Sequence, residues 1–128
     1  MIEKRAQTIQ FFLPEGEPRG IRIVDITTRI VRAVLVPRSK LPEAAKRDEL
    51  KSVGVYFLFG EPEDTAKPVV YIGEAEDCYR RFTQHNATKD FWHTGVAIVS
   101  KTGSFTKAHA KYLEWHCIMK AKEIGRFI

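Results

Sequence analysis

The stretch VVYIGEAEDCYRRFTQHN, residues 69–86, decides how this chain is read. It opens as an apolar run, turns on Gly73, passes three acids (Glu74, Glu76 and Asp77), and ends in an arginine pair followed by His85 and Asn86. A strand that runs straight into so dense a polar cluster is either an ordinary junction with a helix cap or the floor of a functional site. Residues 76–87 read as an amphipathic helix with Cys78, Phe82 and Tyr79 on its inward face. Acids at the start of a helix complement its positive end, which gives Glu74, Glu76 and Asp77 a structural explanation.

Working outward, GVYFLFG (54–60) is a short aromatic strand. EPEDTAKP (61–68) is a turn with two prolines, and the run through Tyr71 is the return strand of a hairpin. WHTGVAIVS (92–100) reads as a third strand, and residues 105–125 as a long helix that stops at Gly125. The order from residue 53 is strand, strand, helix, strand, helix. The expected class is α+β: a small three-stranded antiparallel sheet flanked by helices, β-β-α-β-α.

Residues 1–50 precede this unit as a β-rich extension, with residues 51–128 as the main domain. FFLPEGEPRGIRIVDI places two apolar runs around a Pro/Gly turn, a hairpin over about residues 9–26. IVRAVLVP is β-branched and stops at Pro37, so it reads as a strand, although a short helix over TTRIVRAVLV remains open. Residues 39–52 look helical, with Ser39 as cap and Pro42 in the first turn. The extension packs on the sheet and widens a binding face, or it is a structural annex to the core.

A 128-residue chain that is 44% hydrophobic and 29% charged is an ordinary globular protein of one domain, with or without an extension. It has no apolar run of the roughly 20 residues that would span a bilayer. Its first residues lack the pattern of a secretory signal, so a cytoplasmic location and no membrane partner are expected. Cys78 and Cys117 are too few for a disulfide framework or a zinc site and read as buried thiols. His93, His109 and His116 have no metal-ligand spacing among themselves and read as surface or packing residues.

Charge is unevenly distributed. Residues 61–77 hold six acids and one base, whereas residues 78–128 hold nine bases and three acids. The electropositive second half suits a polyanion.

Gly54–Val55–Tyr56 and Tyr71–Ile72–Gly73 on adjacent strands resemble the paired triplets of the GIY-YIG nuclease family. Either triplet alone is a weak signal, but four features accompany them. The element order agrees. Arg81 follows Tyr71 by ten residues, His85 lies one helical turn further on, and Glu114 sits in the long helix after the third strand. The resemblance covers residues 53–125 and implies a metal-dependent endonuclease that hydrolyses phosphodiester bonds in DNA, double-stranded or branched. It implies Tyr56 as general base and Glu114 as the ligand of a divalent ion, Mg2+ or Mn2+.

The chemistry suits these residues. Phosphodiester hydrolysis needs an activated water, neutralised phosphate charge and help for the leaving oxygen. Tyr71 directs a hydroxyl at water or phosphate, Arg81 offers a planar fork that never deprotonates, and a lone carboxylate suffices for sparsely ligated magnesium. Arg80, Lys89, Lys107 and Lys111 are candidate contacts to the nucleic-acid backbone. Each residue also has a plain structural explanation: tyrosines stacked across a hairpin, a surface hydrogen bond for His85, a solvated Glu114–Lys111 pair.

One departure stands out. The family carries an asparagine after its metal-binding glutamate, but here KAKEIGRFI follows Met119 without one, and Asn86 is in the wrong place to substitute. Truncation of a longer protein is the expected reason. A catalytically weak nucleic-acid-binding module of the same fold is the alternative.

Overall fold

The computed structural model describes residues 6–61 and 68–124. The expected helix stop at Gly125 and most of the turn over 61–68 lie outside them. Six strands form one antiparallel sheet: β1 (Ile9–Phe12), β2 (Arg22–Ile26), β3 (Val31–Pro37), β4 (Gly54–Gly60), β5 (Val69–Ala75) and β6 (Trp92–Ser100). Three α-helices accompany it: α1 (Leu41–Ala44), α2 (Cys78–Thr88) and α3 (Lys107–Ile124).

The spatial order is β1-β2-β3-β6-β4-β5, which corrects the expected three-stranded sheet. The three strands expected from residue 53 onward form one half of it, with β6 between β3 and β4. All of β3 pairs with the other edge of β6, from Val31 opposite Ser100 to Pro37 opposite Thr94. Alternation along β3 buries Val34 and Val36 completely, so the extension adds both hydrogen bonds and core. The expected hairpin over residues 9–26 is present as β1 paired with β2.

The continuous helix expected over residues 39–52 is broken. Two 3-10 turns, Arg38–Lys40 and Asp48–Leu50, flank the four-residue α1, and no side chain caps either the first turn or α1. Packing overrides propensity here. The irregular path delivers Leu41, Ala44 and Leu50 to the core, where each is at most 5% exposed.

Gly73 is not a turn either, because β5 runs through it to Ala75. It lies opposite Tyr56 in the register, and a Cβ there would sit 2.5 Å from both Cζ and the hydroxyl of Tyr56. Glycine is needed at this position for side-chain room rather than for backbone freedom.

α2 covers the sheet with Cys78, Phe82 and His85, the buried residues of its inner face. Phe82 is fully buried over Gly95 and meets Trp92 at 6.3 Å between ring centres. Truncating such a residue to alanine costs about 3–5 kcal/mol in typical cores. α3 packs against β5 and β4 and buries only Ala110 fully. Among the described residues no helix is long and apolar enough to cross a membrane.

Candidate active site

Asp77 is the cap of α2: its side chain accepts a hydrogen bond from the Arg80 backbone N–H at 3.0 Å. Glu74 belongs to β5, and Glu76 makes a loose ion pair with Lys107 at 4.0 Å. The three acids therefore do different things, and only Asp77 performs the capping that all three suggested. With Arg80, Arg81, Gln84 and Lys107 they line an open cleft of about 450 Å³. Cys78, immediately after the cap, is buried, and burial together with Asp77 and Glu74 raises its thiol pKa to about 12.

Three sequence-predicted residues come together. Tyr56 on β4 and Tyr71 on β5 place their ring centres 6.2 Å apart, and His85 from α2 packs on both, at 5.5 Å and 5.0 Å. The register explains the pairing. Tyr71 faces Leu58 and Tyr56 faces Gly73, so the tyrosines are diagonal neighbours on one face. Phe82 meets Tyr56 edge-on at 5.9 Å.

The Tyr56 hydroxyl lies 2.8 Å from Nε2 of His85 in a buried hydrogen bond. When His85 carries its proton on Nδ1, the phenol donates and Nε2 accepts. Burial, with Tyr71 alongside, pushes the Tyr56 phenol well above its ordinary value against the opposing pull of Arg81. Burial also lowers the His85 pKa, and the charges of Lys89 and Arg81 lower it further. The pair is thus a neutral phenol and a neutral imidazole at physiological pH.

Cationic groups rim this pair. Arg81 is exposed one turn before His85 and donates to Gln84 at 3.4 Å. The Lys89 ammonium stands 4.7 Å from the ring centre of Tyr71, which is itself 37% exposed. The solvent-facing side of the tyrosine pair is therefore positive and open.

Glu114 comes from a different element than Tyr56, Tyr71 and His85. It is half-buried on α3, the helix packed against the two tyrosine strands, and makes no hydrogen bond or ion pair with the described residues. The Lys111 pairing considered from the sequence is not formed. Lys111 is exposed one turn before Glu114. Among the described residues no group of three His, Cys, Asp or Glu could hold a metal, so an ion held by Glu114 would take most of its ligands from water or substrate oxygens. The unpartnered Glu114 carboxylate is a hard oxygen donor of that kind.

Sequence reasoning missed the brace at the far end of α2. Arg38 donates to Asn86 Oδ1 at 2.7 Å, to the Asn86 carbonyl at 2.8 Å, and to the carbonyls of Asp90 and Trp92 at 3.2 and 3.1 Å. No local pattern signals a contact that depends on β3 lying beside β6.

The GIY-YIG catalytic domain family model matches residues 52–126, more than half of the chain. No curated protein and no solved structure matches it. With both triplets on paired strands and the arginine and histidine on the helix that follows, the chain belongs to the GIY-YIG family.

Proposed function

We propose that this protein is a divalent-metal-dependent endonuclease that hydrolyses phosphodiester bonds in DNA. Membership of the family brings a nuclease-type fold, and its nucleases generally depend on a divalent metal. The observation that carries the finer reading is the hydrogen bond between Tyr56 and His85 beneath an open, cationic rim.

A buried phenol whose pKa is raised is a poor base alone, because its phenolate is scarcely populated. Coupled to His85 it becomes a relay. The attacking water gives a proton to the Tyr56 oxygen as the original phenolic proton passes to Nε2 of His85. Tyr56 ends neutral and His85 ends as imidazolium, its charge offset by the phosphate and the incoming oxygen. Tyr71 orients the water or a phosphate oxygen from the rim.

Arg81 meets the phosphate with a charge-assisted fork, and Arg80, Lys89, Lys107 and Lys111 contact neighbouring phosphates along the strand. Glu114 holds the ion, Mg2+ or Mn2+. When bound, the ion neutralises phosphate charge and assists departure of the leaving oxygen.

The test is nicking of a supercoiled plasmid with magnesium. Metal-dependent nicking that disappears in Glu114→Ala and Arg81→Ala supports the proposal. Salt-dependent DNA binding with no nicking would favour the binding-module alternative.

A further inference from the structure

We propose that Arg38, from the segment ahead of the family motif, is a positioning residue that sets His85 against Tyr56. The inference rests on the nuclease reading for its catalytic consequence but not for its structural one.

α2 ends three residues beyond His85, and the last carbonyls of a helix have no partner within it. The His85 carbonyl takes the closing helical bond, from the Lys89 backbone N–H at 2.9 Å, and also accepts from the Trp92 indole N–H at 3.3 Å. The Asn86 carbonyl accepts from Arg38 at 2.8 Å. The guanidinium also lies 4.8 Å from the Trp92 ring centre and places its charge at the negative end of the helix.

These contacts close a circuit. Arg38 stacks on Trp92, Trp92 packs on Phe82, Phe82 meets Tyr56 edge-on, and Tyr56 bonds His85, whose chain neighbour Asn86 returns to Arg38. Arg38 follows directly on β3, which pairs with β6 up to Pro37 opposite Thr94. The extension is therefore fastened to the sheet and, through one side chain, to the turn that carries His85. Lysine cannot replace it, because one ammonium cannot span an amide oxygen and three carbonyls in the plane of a fork.

The experiment uses the full chain with histidine labelled in the imidazole nitrogens. In Arg38→Lys and Arg38→Gln, the His85 Nε2 resonance moves toward its position in Tyr56→Phe, which lacks the bond. The nicking rate at saturating DNA falls roughly ten- to hundredfold, the loss that a displacement of about 1 Å brings, while the half-saturating DNA concentration stays within about twofold.

A purely stabilising Arg38 would lower the melting temperature and leave that resonance unmoved in the folded protein, which overturns the proposal. If the Arg38 variants do not fold, Asn86→Ala at an exposed position removes the shortest of the four bonds, and an unmoved resonance there is equally fatal. Should the unaltered chain fail to nick DNA, the nuclease reading falls, while the resonance still decides what Arg38 does.

Discussion

The hydroxyl of Tyr56 and Nε2 of His85 are 2.8 Å apart in a buried hydrogen bond that joins a strand to a helix across 29 residues of sequence between the two partners. Tyr56→Phe keeps the ring against Phe82 and Tyr71 but strands the imidazole nitrogen. Folding stability should fall by about 1–3 kcal/mol, the cost of an unsatisfied buried polar group. Nicking should fall by roughly 10²–10⁴, the usual contribution of a positioned acid or base. Urea unfolding and plasmid nicking measure the two separately, and a variant as active as the parent would remove Tyr56 from the chemistry.

The placement of both tyrosines on paired strands and of Arg81 and His85 on the following helix was legible in the sequence, because the spacing is short. Ten residues from Tyr71 to Arg81 span one strand end and one helical turn, and four more reach the same helix face. The six-stranded sheet was not legible, because periodicity shows that residues 31–37 form a strand without showing which edge they cover. Gly73 was misread for a related reason. Glycine in a strand marks either a bend or a close approach, and only the register with Tyr56 distinguishes them. Arg38 was invisible as part of the site because its partners lie around 50 residues away, reached through the pairing of β3 with β6.

Acidification should expose the burial of His85. Its folded pKa lies below the ordinary 6.5, through burial first and then the charges of Lys89 and Arg81. As pH falls below that ordinary value, the unfolded chain takes up a proton that the folded protein refuses, so stability is lost until the depressed folded value is passed. Above the ordinary value this contribution is constant. Although burial opposes it, Glu49 is held below 4.5 by backbone hydrogen bonding and Arg47, so it acts only in a more acidic window. Urea midpoints between pH 7.5 and about 5 should therefore decline in the parent and flatten in His85→Gln. An equal slope in both would contradict the assignment.

Gly73→Ala tests the steric demand at the last position of the second triplet. Its methyl would fall 2.5 Å from Cζ and the hydroxyl of Tyr56, so the ring must move away from His85. The expected cost is about 1–3 kcal/mol, as for overpacking elsewhere. Nicking should drop sharply, whereas retention on immobilised DNA at low salt is preserved, because Arg80, Arg81 and Lys107 lie on the cleft rather than beneath it. Equal loss of binding and nicking would mean that the fold itself had failed.

Metal dependence offers the sharpest test of Glu114. Its carboxylate has no protein partner among the described residues, so Glu114→Gln removes charge without breaking an ion pair and should leave the melting temperature within a degree or two. The parent should lose nicking in EDTA and regain it with magnesium or manganese. The variant should stay inactive at any accessible metal concentration, or need far more, since it loses the charged oxygen donor proposed to hold the ion. Titration calorimetry with manganese separates these outcomes from a loss of DNA affinity. If Glu114→Gln nicks at the parental rate with the same metal requirement, the ion is held elsewhere and α3 has no part in the chemistry.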